Sequence, residues 1–269
     1  DNVGEIARWR ASADRVLSLY EDTWQLDRDL RGSATPRITR ERSDEARLRI
    51  ADLCIAEPSG RILLEHFDAD VGPGERVLVA GDPSVTGGLF KVIGGLWPWG
   101  SGRVTLPADG GLLFMPQRPY LPEGTLREAL CYPQPADDCT DAELRSALDR
   151  VGLGSLLPRL DERDNWDQAL PLRAQQQLGF ARALVQRPDW IFMEGATDAF
   201  DPEGEQQILQ MLHEALPGAT LLVISFHPGL EPLPDRRNVP NTGSARASSS
   251  KSARHGRSSG TASSAARSR

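Results

Sequence analysis

"GDPSVTGGLF", Gly81 to Phe90, lies between the apolar run "RVLVA" and the stretch "KVIGGLWPWGSG", which begins helically and ends in turns. A glycine-opened loop between a strand and a helix cradles anions well, because backbone N–H groups and the helix N-terminus point the same way. Such a loop normally closes with G-K-[ST], whose lysine reaches the terminal phosphates and whose hydroxyl holds Mg²⁺. Counted from Gly81, the second glycine position holds Thr86, the lysine position Gly87 and the hydroxyl position Gly88. Counted back from "GLW", one residue is missing, so the register is uncertain by one, and in neither register does a lysine stand in the loop. Gly81, Asp82, Pro83, Ser84, Val85, Thr86, Gly87 and Gly88 thus form a candidate nucleotide-binding loop without its charged closing group. Lys91 stands outside the loop, further along the helix. Backbone N–H groups survive side-chain change, which leaves weak phosphate affinity open.

Working outward, the period changes along the chain. From Arg47 to Val71 apolar residues alternate, around a "PSG" turn, which predicts antiparallel strands. "RVLVA", "GGLLFMPQ", "WIFM" and "TLLVIS" are short buried-strand runs, and helical patterns separate them. Strands alternating with helices imply parallel pairing, so the fold class is α/β with an antiparallel β subdomain. Thr125 with Glu128, and Thr140 with Glu143, read as capping boxes that open helices in a region helical from about 125 to 170. Asp201 caps a further helix that starts at Pro202.

Residues 1 to 31 place Ile6, Trp9, Val16, Leu17, Tyr20 and Trp24 near one helical face, which calls for a partner. The polar, Pro/Gly-bearing segment 32–46 reads as a linker, and 238–269 as a disordered Ser/Arg-rich tail. The 269 residues carry a net charge of -7, which argues against a duplex nucleic-acid partner. No acidic residue follows Asp235, while Arg246, Lys251, Arg254, Arg257, Arg267 and Arg269 do. Cys54, Cys131 and Cys139 have no metal-ligand spacing and form no even-numbered framework, so a reducing compartment is expected. No apolar run approaches the ~18 residues of a membrane span.

Four blocks in order, "GERVLVAGDPSVTGGLFKVIGGLWPWGSG", "FMPQRPYLPEGTLREALCYP", "LPLRAQQQLGFARALVQRPDWIFMEGATDAFD" and "LLVISFH", resemble the nucleotide-binding domain of an ABC transporter. The resemblance is to the branch holding relatives of peroxisomal fatty-acyl transporters and bacterial peptide and vitamin importers with a fused membrane domain. It implies a P-loop NTPase-like core over residues 47–237 with a helical subdomain near 118–175. It also implies that residues 1–31 continue a transmembrane segment absent from this chain. The partners implied are an ABC transmembrane domain and a second nucleotide-binding domain, as homo- or heterodimer, at the cytoplasmic face of a membrane.

Residue by residue, the resemblance assigns Gln117 to the loop that touches metal and attacking water. It assigns Leu170, Pro171, Leu172, Arg173 and Gln175 to the signature that reaches a partner's nucleotide. There Pro171 replaces a serine and Arg173 a glycine, and crowding or a solvent-facing Arg173 is expected rather than phosphate binding. Glu194 stands for the Mg²⁺-binding aspartate and, with Gln117, is the candidate metal ligand. Gly195 stands where the water-polarising glutamate belongs. His227 matches a γ-phosphate sensor, Glu194 and His227 being the candidate catalytic residues, and Asp201 matches a dimer contact. No adenine-stacking aromatic is identifiable near Pro58. The function expected is that of an ATP-binding domain supporting transport, with ATP and Mg²⁺ binding weak or lost and hydrolysis weak or absent. Two alternatives stay open: an active transport ATPase in which Arg173, Lys91 and Glu194 substitute, or a protein-interaction module that reuses the fold.

Overall fold

A computed structural model describes residues 2–32 and 37–225. The expectations for linker residues 33–36, for the end of the core from 226 to 237 with His227, and for the tail 238–269 fall outside the described residues. The chain divides into two units, 1–37 and 38–269. In the first, helix α1 (Asn2–Gly32) exposes Ile6, Trp9, Val16, Leu17, Leu19, Tyr20 and Trp24. No described helix is long and apolar enough to cross a membrane.

The second unit begins with β1 (Thr39–Ser43), β2 (Leu48–Ala56) and β3 (Ile62–Val71), followed by β4 (Arg76–Ala80) and α2 (Pro83–Gly94). After β5 (Gly100–Pro107) and β6 (Leu112–Pro116) the chain enters its helical part. This part holds β7 (Gly124–Thr125), α3 (Leu126–Cys131), α4 (Asp141–Arg150), β8 (Arg163–Asp164), α5 (Trp166–Ala169) and α6 (Leu172–Gln186). β9 (Trp190–Glu194), α7 (Pro202–Ala215) and β10 (Thr220–Ser225) complete it.

Two four-stranded sheets form, ordered β1-β5-β2-β3 and β4-β10-β9-β6. The second is wholly parallel, as the alternation of strands and helices predicts. Its central strand β9 is buried on both faces, which explains the unbroken apolar run. Trp190 and Phe192 face a core shared with α2 and the antiparallel sheet. Ile191 and Met193 face a core built from the helical part. Both capping boxes are present, with the Glu128 and Glu143 carboxylates returning to the backbone of Thr125 and Thr140.

Three expectations change. Thr39–Ser43, placed in a linker, is an edge strand paired in parallel with β5, and its charged sequence suits an exposed edge. The glycines of "GSG" are not turn residues but the start of β5. A Cβ on Gly100 would lie 2.0 Å from the Cys54 carbonyl oxygen, and one on Gly102 would lie 2.5 Å from that of Asp52. Glycine is needed there because β5 lies against the backbone of β2. Cys131 and Cys139, expected as separate thiols, are paired as a disulfide beside α3.

Candidate functional site

Parallel strands deliver their C-terminal ends to one edge, which is where α/β sheets bind ligands. Register fixes who meets there: Ser225 lies beside Ala80, and Glu194 is flanked by Ile224 and Pro116. Gly81 follows Ala80, Gly195 follows Glu194 and Gln117 follows Pro116, so the candidate residues from distant blocks share this edge.

The loop itself is short. Only Gly81 and Asp82 separate β4 from α2, with Asp82 at the cap position and Pro83 opening the helix. Proline suits that position because its fixed φ matches a helix, but it supplies no N–H. The amides of Val85 and Thr86 donate to the Asp82 carbonyl at 3.0 and 2.9 Å. The Thr86 hydroxyl, buried, donates back to the carbonyls of Asp82 and Pro83 at 3.1 and 3.2 Å. Asp82 is exposed at the helix start and makes no side-chain cap bond. Gly87 faces Glu194, since a Cβ there would lie 3.9 Å from Oε1. Gly88 instead packs toward Ile55 and Leu63 in the core. Ser84 is exposed and Val85 half-buried on the first turn. Lys91 sits with its ammonium 5.4 Å from the Trp97 ring centroid.

Across the edge, Gly195 adopts φ +61°, in the left-handed region. A Cβ at this position would lie 2.9 Å from Asp198 Oδ2 and 3.1 Å from Gln117 Cβ. The Asp198 carboxylate therefore borders the space that a side chain on residue 195 would enter, and Gln117 Nε2 donates to it at 2.8 Å. Burial pushes the Glu194 carboxyl pKa up, the Asp198 charge adds to this, and Lys91 partly opposes it.

That shift has a stability consequence. A carboxyl whose pKa is higher folded than unfolded favours the native state below the unfolded value, and the benefit is lost as pH rises through the folded value. Glu194→Gln is therefore expected to unfold at a higher temperature than wild type near pH 7 and to flatten the decline as pH rises from the ordinary carboxyl range to neutrality. Thermal melts across that range check it, and a variant less stable at pH 7 would contradict it.

The signature residues open α6. Leu170 is extended, Pro171 is the cap residue, Leu172 begins the helix, and the Gln175 amide donates to the carbonyls of Asp167 and Leu170 at 2.7 and 2.8 Å. Arg173 bends onto its own chain: Nη1 lies 3.5 Å from Asp201 Oδ1 and the guanidinium 4.9 Å from the Phe200 ring centroid. Asp201, expected to cap α7, holds the cap position without a side-chain cap bond, its carboxylate being turned to Arg173. The pair is half-exposed, so its worth in stability is small.

Two residues were missed from sequence. Buried Gln176 donates to the carbonyls of Gln117 and Gly195 at 2.9 and 3.1 Å and accepts from the Ala199 amide at 3.1 Å. Buried Arg182 donates to the carbonyls of Tyr120 and Ala129. The triple glutamine of "AQQQLGFARAL" was the available signal, being polar where the helix must be buried on most sides.

No family model matches the chain. It is 28% identical over 234 residues to the inner membrane ABC transporter ATP-binding protein YddA of Escherichia coli, covering 86% of this chain and 39% of that protein. An uncharacterized ABC transporter ATP-binding protein of Synechocystis is 35% identical over 191 residues, covering 69% of this chain and 28% of the relative. ATP-binding cassette sub-family D member 3 of Homo sapiens is 33% identical over 186 residues, covering 65% of this chain and 28% of that protein. The chain thus spans well under half the length of these relatives. A bacterial Atm1-family ABC exporter solved with ATP bound shares the fold, with TM-score 0.59 and 19% identity over 71% of this chain and 36% of that one. Over these residues the chain is homologous to ABC-transporter ATP-binding domains.

Proposed function

We infer that this chain is the nucleotide-binding domain of an ABC-type transporter whose own share of the nucleotide site no longer grips a magnesium triphosphate. It supports transport by docking and assembly rather than by hydrolysing ATP. Homology supports the lineage. The start of α2 carries the second part. A phosphate cradle needs converging N–H groups and a cation, and this turn offers Pro83 without an N–H, two amides closed on the Asp82 carbonyl, and an exposed carboxylate. Gly87, which faces Glu194, and Gly88, which packs into the core, hold the lysine and hydroxyl positions counted from Gly81, so neither a cation nor a metal-binding hydroxyl stands there. The residues present do not fit Mg-ATP.

The partners under this reading are a transmembrane domain and a second nucleotide-binding domain at the cytoplasmic side of a membrane. Because both the phosphate loop and the signature are altered, neither composite site of a dimer would be whole, even beside an intact partner. The rival reading, a working ATPase using Arg173, Lys91 and Glu194, asks Arg173 to leave Asp201 and Phe200 and Lys91 to leave Trp97.

Isothermal titration of Mg-ATP into the full chain tests it. Binding no tighter than about 1 mM, near -4 kcal/mol, is expected. Micromolar affinity would overturn the reading.

A further inference from the structure

We propose that Asp52, Cys54 and His66 form a binding site for a single divalent transition-metal ion of the zinc type, on the outer face of the antiparallel sheet. The site is separate from the nucleotide edge and does not depend on how that edge is read. The oxygen, sulfur and nitrogen ligand atoms of the three residues all lie within 4.8 Å of one another. His66 Nδ1 is 2.6 Å from Asp52 Oδ1.

Strand alternation alone would not assemble this group. β2 alternates through Leu48 and Ile50, then exposes Ala51 and Asp52 in succession before Leu53 is buried again. β3 does the same, exposing Glu65 and His66 between buried Leu64 and Phe67. The register shifts there, with Leu53 opposite Phe67, so an irregularity in each strand lies at the same level. Asp52 and His66 both adopt the left-handed region, at φ +46° and +50°. That region is strained for a non-glycine residue, and such geometry persists only where its surroundings enforce it. β5 accommodates the irregularity by placing Gly100 and Gly102 against the carbonyls of Cys54 and Asp52. The outcome is a carboxylate and an imidazole on neighbouring strands turned to the same point, with the Cys54 sulfur from the same strand as Asp52.

The donor set chooses the ion. Thiolate with imidazole suits zinc and its neighbours, whereas Mg²⁺ and Ca²⁺ take oxygen ligands. Around one tetrahedral ion, ligand atoms at ~2.0–2.3 Å from the metal sit roughly 3.3–3.6 Å from one another. The cluster reaches that arrangement if the Asp52–His66 contact opens by about 0.7 Å and the sulfur closes in. Three protein ligands leave a fourth position facing solvent. On binding, the thiol proton leaves to water and the ion takes His66 Nδ1, while the imidazole keeps one proton on Nε2 and a second, where it is doubly protonated, leaves to water. Asp68, whose carboxylate accepts the Asp52 amide at 2.8 Å, and Glu65 keep the surroundings acidic and favour cation entry.

Cobalt(II) titration of the full chain, followed by absorbance, is the test. One cobalt per chain is expected, with a thiolate-to-metal charge-transfer band and the visible bands of a tetrahedral site, all displaced by zinc. Cys54→Ser should abolish the charge-transfer band, and His66→Ala should weaken binding at least tenfold. Absence of a band in wild type would leave only an exposed Asp–His pair and overturn the proposal whatever the variants do. A band that persists in Cys54→Ser would show that its sulfur is not that of Cys54 and overturn it equally. Circular dichroism of each variant separates lost ligation from lost fold.

Discussion

Hydrolysis of ATP with Mg²⁺ is expected to run roughly 10⁴-fold or more below an intact site of this kind. Loss of a water-orienting base costs about 10²–10⁴ and loss of a charge-stabilising group about 10²–10³. Installing glutamate at Gly195 alone is expected to leave the rate there and to destabilise the protein. The position has φ +61°, and its new Cβ would meet Asp198 Oδ2 at 2.9 Å, so a cost of roughly 1–3 kcal/mol follows. Gly195→Glu combined with Asp198→Ser should recover at least half of that loss, a coupling typical of residues in contact. Phosphate release and urea melts of the two variants read both effects. Brisk turnover by wild type, or a stable and active Gly195→Glu, would sink the account of this edge.

Arg182→Ala is expected to cost about 3 kcal/mol of folding stability. The guanidinium is buried, and burial pushes its pKa down to about 10, so it stays charged at neutral pH. Its Nε donates to the Ala129 carbonyl at 3.2 Å and its Nη2 to the Tyr120 carbonyl at 3.0 Å. Truncation leaves buried acceptors unpaired and a void between α6 and α3. Arg182→Lys should recover only part, because a single ammonium lacks the planar fork that spans both carbonyls. Urea denaturation decides it; a loss under about 1 kcal/mol would show that water replaces the side chain without penalty.

The parallel sheet was legible because β9 and β10 are apolar on both faces and β4 leads straight into a glycine turn. The two capping boxes were legible because they are local, three residues apart. β1 and β5 were not, since an edge strand needs no apolar alternation and a glycine that admits a neighbouring backbone reads like one that makes a turn. At the site, the residue types at the sheet edge could be read, but not their partners. Arg173 meets an aspartate 28 residues away, and Asp198 beside Gly195 is visible only once the turn is folded. Asp52, Cys54 and His66 were hidden for a further reason: period-two reading assumes regular strands, and both strands break rule at the level where the three converge.

Gln176 fastens the loop after β6, the turn after β9 and the segment before α7 with one side chain. Here a permanent amide rivet joins them, so tension applied at Gln117 is handed to Ala199 without any visitor in between. Such an edge moves as one piece, so a push on any of the three segments reaches the other two.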